Sequence, residues 1–314
     1  MHFILPFSIK RFSHQLNVRQ AMLLMGSCFA EEIGTKLRER KFNALINSHG
    51  ILYNPISICN AITDYVQEKK YTQQDIFLHD ELWRSFRHHG KFSDTDSATC
   101  LANINHKITQ AHHQLKNARW LVLTFGSAFA YTQNNHIVAN CHKIPSTQFK
   151  KVLLSKEQIM DAWQKQIKFL KEFNPELNIV FTVSPVRYVR EGIMENNRSK
   201  GILFDTIHTL IEQNTNCFYF PAYEIVIDEL RDYRFFKEDL VHPNQLAINY
   251  VWQKFTDAVC DEETKNFMAD YEPILKSLQH RDLQQDTNAT LKFKKQLEEK
   301  QAALVQKYPF MKSL

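Results

Sequence analysis

The sequence predicts an α/β fold built on a mostly parallel sheet, and three observations carry that expectation. Short apolar runs at 21–25, 44–46, 120–125, 178–183 and 218–220 have the length of buried strands. Amphipathic segments with helical spacing lie between and after them, at 30–40, 56–68, 98–116, 156–173, 201–213 and 243–260. Three of the chain's 7 glycines, Gly26, Gly50 and Gly126, fall just past the first three apolar runs, where strand gives way to loop. Strands alternating with helices imply βαβ units joined by right-handed crossovers.

Taken in order, the run Ala21-Met22-Leu23-Leu24-Met25 ends in Gly26-Ser27-Cys28-Phe29-Ala30, a tight turn opening a helix whose Phe29, Ile33 and Leu37 recur on one face. The second strand leads into Asn47-Ser48-His49-Gly50 and then the helix 56–68. A long connection follows, with an insertion at about 69–118. It is rich in aromatics and histidine (Phe77, His79, Trp83, Phe86, His88, His89) and serves either as a lid on the carboxyl edge of the sheet or as packing. The third strand ends at Gly126, and a hairpin turns at Asn134-Asn135 between Tyr131 and 136–139. Two more strand–helix pairs complete a first unit, residues 1–260. From 261 to 314 Lys, Glu and Gln dominate, which predicts a C-terminal helical extension. Within it 289–307 is a charged amphipathic helix carrying Leu291, Leu297 and Leu304; it either docks on the core, dimerises the chain as a homo-oligomer, or forms a tail.

Composition narrows the function classes. A hydrophobic content of 44% supports a sizeable core, and a formal net charge of +5 is spread without a basic block, so no nucleic-acid partner is expected. No apolar run approaches the roughly 18–20 residues of a membrane span. The start, Met1-His2-Phe3-Ile4-Leu5-Pro6, does not have the form of a secretory signal. The six cysteines lie far apart with no CxxC pair, which points away from zinc and redox motifs and toward free thiols in a cytoplasmic protein. No metal or cofactor is implied, and GxSxG, P-loop, GxGxxG and HExxH motifs are missing.

The remaining chemistry is nucleophilic. Ser27 and Cys28 stand at a strand-to-helix turn, where free N–H groups and the helix end favour a thiolate and a lowered cysteine pKa. Asp239-Leu240-Val241-His242 supplies a base and its orienting carboxylate at i, i+3, with Pro243 placed to begin the last sheet-packing helix. A second match, Asp205 to His208, falls inside a helix and is taken as an amphipathic face. Gly50 and Gly126, at neighbouring strand ends, are candidate donors of backbone N–H groups to an oxyanion.

The blocks His49-Gly50-Ile51-Leu52-Tyr53-Asn54-Pro55, Ala139-Asn140-Cys141-His142-Lys143-Ile144-Pro145, Thr182-Val183-Ser184-Pro185-Val186-Arg187 and Tyr219-Phe220-Pro221-Ala222-Tyr223-Glu224, taken with the GSCFA run, the stretch Asp228-Glu229-Leu230-Arg231-Asp232-Tyr233-Arg234 and His242-Pro243, resemble the bacterial GSCFA-domain family over about 20–255. That family is grouped with the SGNH, or GDSL-type, hydrolases. The resemblance implies a flavodoxin-like three-layer sandwich with a five-stranded sheet in the order 2-1-3-4-5. It implies a nucleophile after the first strand, Cys28 on a gapless match or Ser27 on a match shifted by one. Asp239 and His242 become the triad acid and base, and Gly50 an oxyanion donor. The next block normally carries Gly-x-Asn; here Gly126-Ser127-Ala128 lacks the Asn, for which Asn54 or Asn140 could substitute. His142 and Arg187 belong to the family's own motifs. Arg187 either meets an anionic substrate group or pairs with Glu224, Asp228 or Asp232.

Two functions follow as expectations. One is an acyl hydrolase (esterase or thioesterase) or acyltransferase working through a covalent acyl-enzyme on a small-molecule or glycan acyl substrate. The other is a non-catalytic protein on the same scaffold that binds an anionic or glycan ligand through Arg187, His142 and the aromatic insertion.

Overall fold

A computed structural model describes residues 5–279 and 288–313; the chain start at 1–4, residues 280–287 of the expected extension and Leu314 lie outside the described residues. The described elements run β1 (Ala21–Gly26), α1 (Cys28–Glu39), β2 (Ala44–Ile46), α2 (Pro55–Val66), β3 (Phe77–His79), β4 (Leu82–Arg84), α3 (Ser97–Asn117), β5 (Ala118–Phe125), β6 (Phe129–Gln133), β7 (His136–Val138), β8 (Lys150–Leu153), α4 (Lys156–Phe173), β9 (Asn178–Val183), α5 (Ile193–Gln213), β10 (Cys217–Tyr219), α6 (Ala222–Glu224), α7 (Gln245–Val259), α8 (Glu262–Gln279) and α9 (Asn288–Lys307). A π-helical turn, Ile225–Leu230, continues α6.

Five strands form one parallel sheet in the order β2-β1-β5-β9-β10. The expected order 2-1-3-4-5 differs from this in chain numbering. The physical reason is that β3, β4 and the β6-β7-β8 sheet are short antiparallel ribbons inserted between sheet strands and not paired with the parallel sheet.

Period-two alternation assigns the two faces of the sheet. Leu23, Met25, Leu121, Leu123, Ile179 and Phe181 point to one side, where α2, α3, α4 and α5 bury Ile58, Ile62, Ile104, Ile108, Trp163, Leu203 and Ile207 against them. Met22, Leu24, Trp120, Val122 and Val180 point to the other, against Phe29, Ile33 and Leu37 of α1 and Val251 and Phe255 of α7. A sheet covered on both faces needs continuous apolar strands, which is how the sequence reads here. Phe267, Tyr271 and Ile274 of α8, Leu304 of α9 and the adjoining Tyr308 join this second core, so the C-terminal residues dock on the chain itself, while Leu291 stays exposed.

Some element boundaries depart from expectation. Helix α7 begins at Gln245, because Asn244 caps it by accepting the N–H groups of Leu246 (3.0 Å) and Ala247 (3.2 Å). Pro243 therefore stays outside the helix, bridged to Phe236. Helix α5 starts eight residues earlier than Gly201, since its buried face (Asn196, Ser199, Lys200, Leu203) runs through that glycine unbroken. Strands β3 and β4 turn at Asp80 and Glu81, both at positive φ (47° and 59°), without the Asn or Gly that would advertise such a turn.

Candidate active site

The turn after β1 is locked from three sides. Gly26 sits at φ +130°, and a Cβ there would lie 2.1 Å from the Thr124 carbonyl oxygen, so only glycine fits. Its N–H donates to Asn47 Oδ1 (3.0 Å), its carbonyl accepts from Leu52 N–H (3.0 Å), and Ser27 N–H donates to Thr124 O (3.2 Å). Ser27 caps α1: its Oγ accepts Phe29 N–H (3.3 Å), and the residue is 1% exposed. Cys28, the first residue of α1, is half-buried. The two adjacent candidates thus differ: Ser27 caps α1 and is buried, and Cys28 is the one with accessible surface.

The expected thiolate is corrected. Burial pushes the Cys28 thiol up, as do Glu31 and Glu32 one helical turn on, and its own N–H and the Lys237 ammonium only partly oppose this. Removing water from around the sulfur outweighs the favourable helix end, so Cys28 is a thiol at neutral pH and needs a base. Tyr53 flanks it; burial, and next the Cys28 charge, raise the Tyr53 phenol.

That base is pre-arranged. Asp239 accepts the backbone N–H groups of Val241 and His242 (2.9 Å each) and stands 2.7 Å from His242 Nδ1. These bonds, the His242 N–H first, hold the Asp239 carboxyl down to about 2. An ionised carboxylate can only accept, so His242 Nδ1–H is the donor, and in the neutral imidazole Nε2 carries the free lone pair. Nε2 has no partner among the described residues. The two side chains are 40% and 48% exposed. Leu240, at φ 57°, gives the loop its sharp bend; its N–H donates to Lys237 O (2.9 Å). Lys237 N–H in turn donates to His242 O (2.8 Å). Lys237 links the two: its ammonium acts on Cys28 and its backbone N–H holds His242 O.

The other expected site residues are distributed differently. Gly50 N–H closes a turn onto Asn47 O (2.7 Å), and Gly126 N–H donates to Tyr53 O (2.8 Å), so both candidate oxyanion donors are engaged within the chain. Gly50 is glycine because its φ is +81° and a Cβ would lie 2.1 Å from His89 Cβ. Asn54 caps α2, accepting Ser57 N–H (2.8 Å), and Asn140 accepts His142 N–H (2.8 Å) in a local turn. His142 is buried, with Nε2 2.7 Å from Ser85 O, and so lies under the inserted segment rather than at an open surface. Arg187 makes none of the expected ion pairs. Glu224 is held by Tyr219 (2.8 Å) and Asp232 by Arg234 (3.0 Å), while Arg187 donates to Leu240 O (3.2 Å) and so braces the dyad loop.

Several residues carry this geometry without having been singled out. Asn47 holds Gly26 through Oδ1, and its Nδ2 is buried without a partner. Its signal was a position just past β2, at φ 45°. Lys200, fully buried, donates to the carbonyls of Gly126 and Ser184 (2.7 Å each) and so ties together the ends of β5 and β9; burial pulls its pKa down to about 7. A second His–Asp pair, His49 and Asp64 (3.3 Å), lies buried with Tyr65, Tyr71 and Arg87, and His88 stacks on His49 at 4.1 Å. Trp83 packs partly buried against the first core and His88 is buried, while His89 is half-buried with its N–H donating to His49 O (2.9 Å). Among the described residues no cluster of three or more His, Cys, Asp or Glu could hold a metal ion, and no helix is long and apolar enough to cross a membrane.

Compared with known proteins, the chain matches no curated protein. The model of the GSCFA family matches residues 21–255, a stretch that contains the Gly26 turn, all five strands of the parallel sheet and the Asp239–His242 loop, and the chain belongs to that family.

Proposed function

We propose that the protein is an acyl hydrolase or acyltransferase of SGNH type on a flavodoxin-like scaffold, with Cys28 as nucleophile. One observation carries the reading: the 2.7 Å Asp239–His242 pair, with Nε2 free, in a loop that shares Lys237 with the Cys28 turn. In the proposed cycle His242 Nε2 takes the Cys28 proton as sulfur attacks the carbonyl of an ester or thioester. Asp239 holds the imidazolium. The N–H of Cys28, at the positive end of α1, faces the developing oxyanion. Collapse expels the alkoxide or thiolate, which takes the proton from His242, and leaves a thioester on Cys28. Water then releases the acid, or an acceptor nucleophile takes the acyl group, with His242 again removing the proton. A thioester intermediate suits passage to an acceptor other than water.

Turnover of short acyl esters and thioesters tests this. Cys28→Ala and His242→Ala abolish it if the reading is right. If these variants and Ser27→Ala all retain wild-type turnover, the mechanism fails.

One observation favours the second reading, a binding protein without turnover. Both glycine N–H groups expected at the oxyanion are engaged internally, and the Gly126-Ser127-Ala128 block has no Asn to replace them. Saturable binding of an anionic or glycan ligand by a protein that turns over no acyl ester supports that reading instead.

A further inference from the structure

A cavity of about 280 Å³ opens beside the dyad loop, lined by Arg187, Ile227, Asp228, Arg231, Tyr233 and Phe236. Its floor and its charges come from different elements. Arg187 follows β9 and lies over the Phe236 ring at 4.4 Å and the Tyr233 ring at 5.5 Å. Arg231 arrives from the π-helical turn 225–230 and sits in the left-handed region at φ 48°. A non-glycine residue there is uncommon, and π turns concentrate at functional sites.

The charges in this cavity are unbalanced. Neither guanidinium is ion-paired among the described residues, although Glu224, Asp228, Glu229 and Asp232 all lie within seven positions of Arg231. Glu224 is taken by Tyr219, Glu229 by Lys254 and Tyr250, and Asp232 by Arg234. Asp228 alone shares the cavity. Two guanidiniums against one carboxylate leave one positive charge beside an aromatic floor. Arg187 commits one donor to Leu240 O and keeps its others. Tyr233, 60% exposed, offers a ring face.

We propose that this cavity binds an anionic group, a carboxylate or phosphate monoester, carried on a flat or apolar moiety of the substrate. Arg187 and Arg231 grip the anion, and Tyr233 and Phe236 cover the moiety next to it. Because Arg187 also holds Leu240, an anion in the cavity is coupled to the loop that carries Asp239 and His242. This deepens the acyl-transfer reading and rests on it only for what becomes of the rest of the molecule.

The test is binding, measured by calorimetry with benzoate, phenyl phosphate and the neutral benzyl alcohol as probes. The wild-type protein is expected to bind benzoate or phenyl phosphate saturably and benzyl alcohol not at all; whichever anion binds tighter identifies the head group. Arg231→Gly, which keeps the left-handed turn unstrained, weakens the anion at least about 10-fold, the weight of a lost charge-assisted hydrogen bond. Asp228→Asn acts in the opposite direction and tightens it, and His242→Ala leaves binding intact. Benzyl alcohol binding as tightly as benzoate, anion binding indifferent to both Arg231→Gly and Asp228→Asn, or failure of both anions to bind overturns the proposal. If anions bind as described and no acyl ester is turned over, the acyl reading falls and the cavity assignment stands. If esters are turned over and Arg231 has no effect, the reverse holds.

Discussion

Two of the His–Asp pairs among the described residues, His49–Asp64 and His242–Asp239, are built for opposite ends. His49 and Asp64 are buried, and both ring nitrogens of His49 have partners, Tyr65 at 2.8 Å and Asp64 at 3.3 Å. Burial pulls the pKa of His49 down. Asp64 also receives Arg87 and the Tyr71 hydroxyl (2.8 Å each), so the carboxylate is saturated. His242 and Asp239 are exposed, closer together at 2.7 Å, and leave one ring nitrogen unused. A base needs a free lone pair and access to a substrate, and only the second pair has them. The first ties the inserted segment to the end of β2. Proximity of His to Asp therefore says little until the second nitrogen is accounted for.

The largest expected effect tests the functional half of this contrast. His242→Ala and Cys28→Ala each lower acyl turnover at least about 1000-fold, or about 4 kcal/mol of transition-state stabilisation. Denaturant unfolding of His242→Ala stays within about 0.5 kcal/mol of wild type, as for an exposed residue. Next comes the buried pair. Asp64→Ala leaves the Arg87 charge without its partner and destabilises the fold by about 3–5 kcal/mol. Denaturant midpoints measure this, and a variant as stable as wild type contradicts the structural assignment.

A smaller effect depends on pH. His88 is stacked on His49 with Nε2 unpartnered, and burial holds its pKa well below that of a free imidazole. The unfolded chain thus binds the proton more readily than the folded one. The contribution to stability is complete above the unfolded value of about 6.5 and is lost as pH falls below it. Melting temperatures from pH 7 to 5 should decline, and less steeply in His88→Gln. The smallest effect belongs to Ser27→Ala, which removes the α1 cap and costs about 1 kcal/mol while turnover persists.

Much of this site was legible in the sequence. Continuous apolar runs and helical spacing located the five sheet strands and the helices that cover them, because parallel strands buried on both faces leave such runs. Gly26 and Asp239-x-x-His242 were legible because their geometry is local. What escaped depends on contacts between distant residues. His49 and Asp64 are 15 positions apart, and Lys200 reaches Gly126 across 74. The raised Cys28 pKa could not be read either, since desolvation depends on what packs above the helix end. Glycine was a misleading cue to ligand contact: at Gly26 and Gly50 the close approach is to the chain itself.

The account stands on Cys28 being the nucleophile and His242 its base. Labelling with an acyl-transfer probe, read by peptide mass spectrometry across pH 6–9, tests this most directly. The account predicts acyl adducts on Cys28 and none on Ser27, forming on the wild-type protein at neutral pH and far more slowly on His242→Ala, where deprotonation must await a higher pH. Adducts on Ser27, or Cys28 labelling at the same rate with and without His242, would contradict it.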